Sequence, residues 1–247
     1  MSKWLEGRVL ENRPWTQTLF SLRVQCPLLK FDAGQFVRLA LDIGGERIAR
    51  PFSFVNAPDD PVLEFYGVIV PEGPLSPLLA RLAAGDALYV ADNPSGFLVL
   101  AEVPPAEDLW LLATGTGIAP YLSILRTEAP WKRYRRVILV HCTRHANELV
   151  YQDVIQAIAD AHRSQFVFVK FTTREKTPNA LQGRMPEAIR DGRLEGAAGA
   201  PIAPERSQFM LCGNPAMLKD AAAELAARGL RKNRRRTPGH ITVESFW

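Results

Sequence analysis

The chain has 247 residues, 47% hydrophobic and 23% charged, and its 30 Lys and Arg outnumber 26 Asp and Glu for a net charge of +4. That is the makeup of a globular protein with core enough for one large domain or two ordinary ones. No apolar run approaches the roughly twenty residues of a membrane span. Cys26, Cys142 and Cys212 are too scattered for a disulfide framework, a zinc site or an iron–sulfur cluster. Neither an H-E-x-x-H nor a G-x-S-x-G motif occurs, which disfavours metal and serine hydrolysis. The opening Met1-Ser-Lys-Trp-Leu-Glu-Gly7 has no signal-peptide core, so a cytoplasmic protein is expected. Positive residues gather in the C-terminal half, favouring an anionic ligand or partner.

The first hundred residues read as β. Strands are expected at Gly7–Leu10, Leu19–Gln25, Gln35–Leu41, Ile48–Val55, Leu63–Val70 and Ala87–Ala91. Turn residues such as Asn12-Arg-Pro14, Gly44-Gly45 and Asn56-Ala-Pro-Asp-Asp-Pro61 separate them. Short strands at this spacing point to a small antiparallel barrel. Within it, Gly73 to Gly85 reads as a short helix, with Ser76 as N-cap, Pro77 as the first helical residue and Gly85 as the stop. Such a helix either covers an open barrel end or aims its N-terminus at an anion. Arg50-Pro-Phe-Ser53 interrupts an otherwise apolar strand. An unpaired buried guanidinium costs about 3–5 kcal/mol, so Arg50 is expected at a rim or beside an anion.

A linker around Ala101–Glu107, with Pro104-Pro105, leads into alternating strands and helices. Strands are expected at Leu109–Ala113, Val137–His141, Phe166–Phe171, Phe209–Cys212 and Ile241–Phe246. Helices are expected at Ile118–Arg126, Glu148–Ala161, Pro186–Asp191 and Pro215–Arg228. This alternation implies a doubly wound parallel sheet that binds its ligand beyond the strand C-termini. The first of these strands turns through Gly115-Thr-Gly117 into a helix. Two glycines there let the backbone approach a ligand, and the helix start suits a phosphate. Pro120 stands where the usual fingerprint has a third Gly, and it is at ease in a first helical turn.

In NAD-binding folds an acidic residue ends the second strand and grips the ribose 2′-hydroxyl. Here that strand ends His141-Cys-Thr-Arg144, the next ends Thr172-Thr173-Arg174, and Gly183-Arg184 follows. Three arginines suit a 2′-phosphate, although solvated loop arginines are the plainer reading of any one of them. Two charge-assisted bonds, each about 1.5–3 kcal/mol, would favour NADP over NAD by roughly a hundredfold or more. Arg231-Lys-Asn-Arg-Arg-Arg236 is the densest charge run. It is either a solvated loop or a docking site for an acidic electron carrier. Nucleic acid is a distant third, since no RNA-module aromatics or DNA-reading helix accompany it.

Four segments, in order, resemble the motifs of the ferredoxin–NADP⁺ reductase family. Arg50-Pro-Phe-Ser53 is similar to its R-x-[YF]-S flavin motif, and Gly73-Pro-Leu-Ser76 to its pyrophosphate motif. Gly115-Thr-Gly-Ile-Ala-Pro120 resembles its nucleotide loop and Cys212-Gly-Asn-Pro-Ala-Met217 its C-G-x-P-x-M segment. The closing Val-Glu-Ser-Phe-Trp247 looks like the short bacterial members. The resemblance implies an FAD-binding Greek-key barrel over residues 1–100 and an NADP(H)-binding α/β domain over 108–247, the C-terminal tail returning to the flavin.

By that resemblance, FAD is held by Arg50, Pro51, Phe52, Ser53, Tyr66, Val68, Pro74, Leu75, Ser76, Thr116, Phe246 and Trp247. NADP is held by Gly115, Gly117, Arg144, Thr173, Arg174, Arg184 and Asn214. Ser53, Cys212 and Glu244 are the expected catalytic residues, Cys212 as a positioning group rather than a nucleophile. The implied activity passes electrons between NADPH, by hydride transfer to flavin N5, and ferredoxin or flavodoxin. FAD carries the chemistry and the protein supplies orientation. A monomer without nucleic-acid or membrane partners is expected. Phe52 stands where many members have Tyr, and Phe246-Trp247 differs from the plant terminal Tyr. The reductase component of an oxygenase, a free flavin reductase and, remotely, a non-enzymatic nucleic-acid-binding protein are the alternatives.

Overall fold

The computed structural model describes residues 3–27 and 29–245; the sites expected at Phe246 and Trp247 lie outside them. Two six-stranded sheets draw on separate stretches of the chain. The first comprises β1 (Trp4–Pro14), β2 (Leu19–Gln25), β3 (Phe36–Ile43), β4 (Glu46–Ser53), β5 (Val62–Val68) and β6 (Ala87–Ala91). It is antiparallel in the order β4-β3-β6-β1-β2-β5. The edge strands meet through a bridge at Phe54–Phe65 and a bond from the Val55 N–H to the Glu64 carbonyl at 2.8 Å, curling the sheet into a half-barrel. Alternation does the sorting. In β2, Leu22 and Val24 are buried while Arg23 and Gln25 face out. Phe31 stacks on Phe54 at 3.8 Å within this core.

Two expectations for this half change. The helix α1 is a single turn, Ser76–Leu79, and Ser76 does not cap it. Its hydroxyl instead accepts from the Val70 N–H at 2.9 Å, closing the preceding loop. Gly85, with φ of +94°, belongs to the turn before β6 rather than to a helix end. Strand β4 is a half-exposed edge strand, and Arg50 lies exposed on it, at a rim as expected.

The second sheet is parallel, in the order β10-β9-β8-β7-β11-β12. Its strands are β7 (Asp108–Thr114), β8 (Arg136–Thr143), β9 (Phe166–Thr172), β10 (Leu181–Gln182), β11 (Ser207–Gly213) and β12 (Ile241–Ser245). The central strands are unbroken apolar runs because both faces are covered. One face packs on α2 (Ala119–Leu125) and α4 (Gln152–Ala161), the other on α5 (Met185–Arg190), α6 (Arg193–Ala198) and α7 (Pro215–Ala227). A further short helix, α3 (Ala129–Arg133), sends the Arg133 guanidinium to the carbonyls of Leu100 and Val103 in the linker. Strand β10 and the helices α3 and α6 are additions to the expected elements. Helix α4 starts later than expected, because Tyr151 takes a left-handed conformation just before it.

The core cluster under α2 and α4 also contains Leu19, Val55 and Tyr66 of the half-barrel. Apolar burial therefore continues from one sheet to the other. Polar contacts reinforce the seam. The Ser123 hydroxyl donates to the Asn56 carbonyl at 2.6 Å, and Arg126 pairs with Glu64 at 3.0 Å.

Candidate active site at the seam of the two sheets

The strand order reverses between β7 and β11, and in open α/β sheets ligands bind beyond the strand ends at such a point. There a cavity of about 370 Å³ opens between the sheets. The half-barrel contributes Arg50, Pro51, Phe52 and Ser53 from β4, with Tyr66 and Val68 from β5 and Pro74, Leu75 and Ser76 from the loop and turn that follow. The parallel sheet contributes Thr116 and Ala119 from the glycine turn. Gly73 and Ala119, also on this lining, fall inside the motifs read from the sequence without having been singled out, whereas sequence reasoning missed Gly67 and Val70. Gly67 had a signal, a lone glycine inside a strand. A Cβ there would lie 2.8 Å from the Phe52 ring.

The polar groups of this cavity are unfinished. The Ser53 hydroxyl and the Tyr66 phenol are buried with no hydrogen-bond partner among the described residues, and a buried polar group is ordinarily paired. Among the described residues, Arg50 bonds only its neighbour's carbonyl, Ala49, at 2.8 Å. Two orphaned hydroxyls, a free guanidinium and the Phe52 ring suit a planar heterocycle with a diphosphate tail, the chemistry of a flavin dinucleotide. Leu75 turns its side chain into the barrel core, at 1% exposure, leaving only its backbone for a ligand.

The glycine turn is a 3₁₀ turn over Gly115–Ile118 leading into α2, with Pro120 in the helix's first turn. Its two glycines serve different needs. Gly115 has φ of +51° with open space where a Cβ would stand. A Cβ on Gly117 would come within 2.5 Å of the Cys212 carbonyl, so close packing of the turn against the end of β11 demands that glycine, rather than approach to a ligand. Behind the turn, His141 is fully buried and burial lowers its pKa to about 4. It is therefore neutral, and its Nε2–H donates to the Gly115 carbonyl at 3.0 Å. Sequence reasoning passed over this histidine, since nothing in the strand's pattern separates it from its apolar neighbours.

Arg144, Arg174 and Arg184 follow the C-terminal ends of the adjacent strands β8, β9 and β10. All three are exposed and none forms an ion pair among the described residues. Their loops are tied together: Thr173 N–H donates to Thr143 and Arg174 N–H to Arg144, both at 3.0 Å. The Arg144 N–H donates to Glu148 at 2.9 Å. Asn214 caps α7, its Oδ1 accepting from Ala216 and Met217, so that oxygen is already engaged.

Cys212 and Glu244 sit side by side in the register of β11 and β12. Burial, then the neighbouring Glu244, pushes the Cys212 thiol well above its ordinary range, which suits an inert positioning group. Burial raises the Glu244 carboxyl to about 7, although its Oε1 accepts from the Phe97 N–H at 3.3 Å. Its Oε2 is buried and unpartnered among the described residues. A wider, more polar cleft of about 640 Å³ opens elsewhere along the seam, beside Arg13, Trp15, Glu64, Arg126 and Tyr151. Among the described residues, none of those expected to bind a cofactor borders it.

A curled antiparallel sheet and a nucleotide-type parallel sheet meeting at an anion-ready cavity define a two-domain reductase fold. The family described as Oxidoreductase NAD-binding domain matches residues 111–223. The chain is 46% identical to the flavodoxin/ferredoxin–NADP reductase of Shigella flexneri and 45% identical to that of Escherichia coli K12, covering all of each chain. A ferredoxin NADP⁺ reductase from Neisseria gonorrhoeae, solved with bound FAD and NADP, superposes with a TM-score of 0.95 at 35% identity over the full length of both chains. The chain belongs to the flavodoxin/ferredoxin–NADP reductase family.

Proposed function

We propose that the protein is an FAD-dependent reductase that passes electrons between NADPH and a ferredoxin or flavodoxin. The observation that carries this reading is the pair of buried hydroxyls, Ser53 and Tyr66, without partners among the described residues, in a cavity walled by both sheets. When bound, FAD accepts two electrons from NADPH and releases them one at a time.

The chain's own residues do the holding. Residues up to about 100 form the flavin half and those from about 108 the nucleotide half. Arg50 would neutralise the diphosphate, Phe52 would pack against the ring, and Ser53 and Tyr66 would supply hydrogen bonds to its polar atoms. Pro74, Leu75 and Ser76 close the loop over the tail; α1 is too short to supply a strong dipole. Val68 lines the same cavity, and Thr116 would stand between the two cofactors. Gly115 and Gly117 would shape the turn beneath the nicotinamide nucleotide, with Asn214 across from them beside Thr114, while Thr173 and the three arginines would hold its adenosine end. The arginines favour the 2′-phosphate and hence NADP over NAD. Cys212 and Glu244 fill the floor between the strand ends, Glu244 holding a proton on its carboxyl near neutrality.

The basic run 231–236 supports an acidic electron carrier as the partner. It is a built hairpin rather than a loose loop. Asn233 is buried, bonding the Glu102 carbonyl at 2.6 Å and Thr242 Oγ1 at 3.1 Å, while Arg231, Lys232, Arg234 and Arg236 stay exposed. The full-length relationship to flavodoxin/ferredoxin–NADP reductases favours this reading over an oxygenase component or a free flavin reductase. A location in the cytoplasm fits it, and no helix is long and apolar enough to cross a membrane among the described residues.

Arg50→Gln is expected to release FAD on gel filtration while the fold, read by far-ultraviolet circular dichroism, is kept. Undiminished FAD retention would remove Arg50 from the site and the diphosphate assignment with it.

A further inference from the structure

Among the described residues, only Tyr151 and Asn179 have positive φ without being glycine. Asparagine tolerates that region; for a bulky side chain it is a strained state that persists only where the surroundings hold it. Tyr151 has φ 59° and ψ 26° at the N-cap of α4, and its side chain makes no capping bond. Helix capping therefore does not account for a tyrosine here, since Ser, Asp or Asn would serve better.

The ring shows what holds it. Tyr151 is 2% exposed and wedged between two aromatics of the half-barrel. Trp15 lies 4.9 Å away, tilted by 47°, and Tyr66 meets it edge-on at 5.4 Å and 82°. Trp15 is itself fixed, its Nε1–H donating to Ser21 at 3.1 Å and the Arg13 guanidinium lying 3.6 Å over its ring. Tyr66 lines the flavin cavity. Three rings thus lead from the outer cleft to the cavity wall, and the nucleotide half supplies the middle one. Glu64, two residues before Tyr66 and so on the same face of β5, is clamped by Arg126 of the nucleotide half at 3.0 Å.

We propose that Tyr151 is a positioning residue: the nucleotide half uses its strained tyrosine to hold Tyr66, and through it the flavin wall, in fixed relation to the glycine turn. The proposal rests on the flavin reading above. Removing the ring leaves a void beside Tyr66 into which that side chain relaxes, and small displacements of reacting groups slow a reaction steeply.

The test compares the FAD-loaded wild type with Tyr151→Phe and Tyr151→Gly. Phenylalanine keeps the wedge and is expected to leave the flavin's visible circular dichroism and its rate of reduction by NADPH unchanged. Glycine relieves the backbone strain but removes the wedge. It is expected to alter the visible dichroism and slow reduction by about tenfold to a hundredfold, with the NADPH KM unchanged. Should the glycine variant fail to fold, Trp15→Leu, at the outer end of the row, is expected to shift dichroism and rate in the same direction by a smaller factor. Variants indistinguishable from a wild type that NADPH reduces overturn the proposal alone. A wild type that retains no FAD, or that NADPH does not reduce, overturns the flavin reading and the proposal together.

Discussion

The backbone N–H of Arg174 donates to the carbonyl of Arg144 at 3.0 Å, binding the loops after β9 and β8 into one platform. Two exposed guanidinium groups thereby share one edge, and β10 brings Arg184 up beside them. Arg144→Ala is expected to raise the NADPH KM by about tenfold to a hundredfold, the worth of one charge-assisted bond. The NADH value should stay unchanged. Equal losses for both nucleotides would show that Arg144 does not read the phosphate.

The Ser53 hydroxyl is buried at 2% exposure without a partner among the described residues. In the apoprotein an unsatisfied hydroxyl is a burden, so Ser53→Ala is expected to leave apoprotein stability unchanged or raise it by about 1 kcal/mol. The holoprotein should lose a bond to the flavin and slow its reduction by roughly tenfold. Thermal melts with and without FAD separate the two effects. A lower apoprotein Tm would mean that the hydroxyl serves the fold.

Glu244 carries a pH signature. Burial raises its pKa from 4.5 to about 7, so the native state keeps a proton that the unfolded chain has lost. Stability is therefore fully present below about pH 4.5, falls as pH rises toward 7, and is level beyond. The whole change is up to roughly 3 kcal/mol. Glu244→Gln is expected to abolish this fall in urea titrations of the apoprotein across that range. A variant that retains the full slope would assign it to another group.

The chain's broad plan was legible because it rests on strong local signals. Unbroken apolar runs marked the central strands, and Arg50–Ser53 and Gly115–Pro120 stood out as polar or glycine-rich interruptions beside them. What was not legible depends on partners distant in sequence. Two residues of β10 have no period of their own; they are a strand only because β9 lies alongside. Ser76 looks like a cap by position, yet the loop from Val70 claims its hydroxyl. Tyr151 reads as an ordinary helix residue until the rings of Trp15 and Tyr66 fix its backbone.

Gly115 and Gly117 look alike in sequence and differ in the fold, which makes them a paired test. Gly115→Ala meets only its positive φ and is expected to cost about 1 kcal/mol. Gly117→Ala drives a methyl into the Cys212 carbonyl and is expected to cost about 1–3 kcal/mol or more, with the sheet pushed apart at the nucleotide turn. Urea midpoints rank them directly. A more stable Gly117→Ala would contradict the close packing of the glycine turn on the end of β11.

Anaerobic titration of the purified, FAD-loaded protein, first with NADPH and then on a fresh sample with NADH, addresses the central assignment most directly. The protein is expected to be yellow, its visible absorbance bleached by about one equivalent of NADPH. NADH should match that only at roughly a hundredfold higher concentration. A colourless protein that takes up no FAD, or a flavoprotein indifferent to which nucleotide is added, would contradict it.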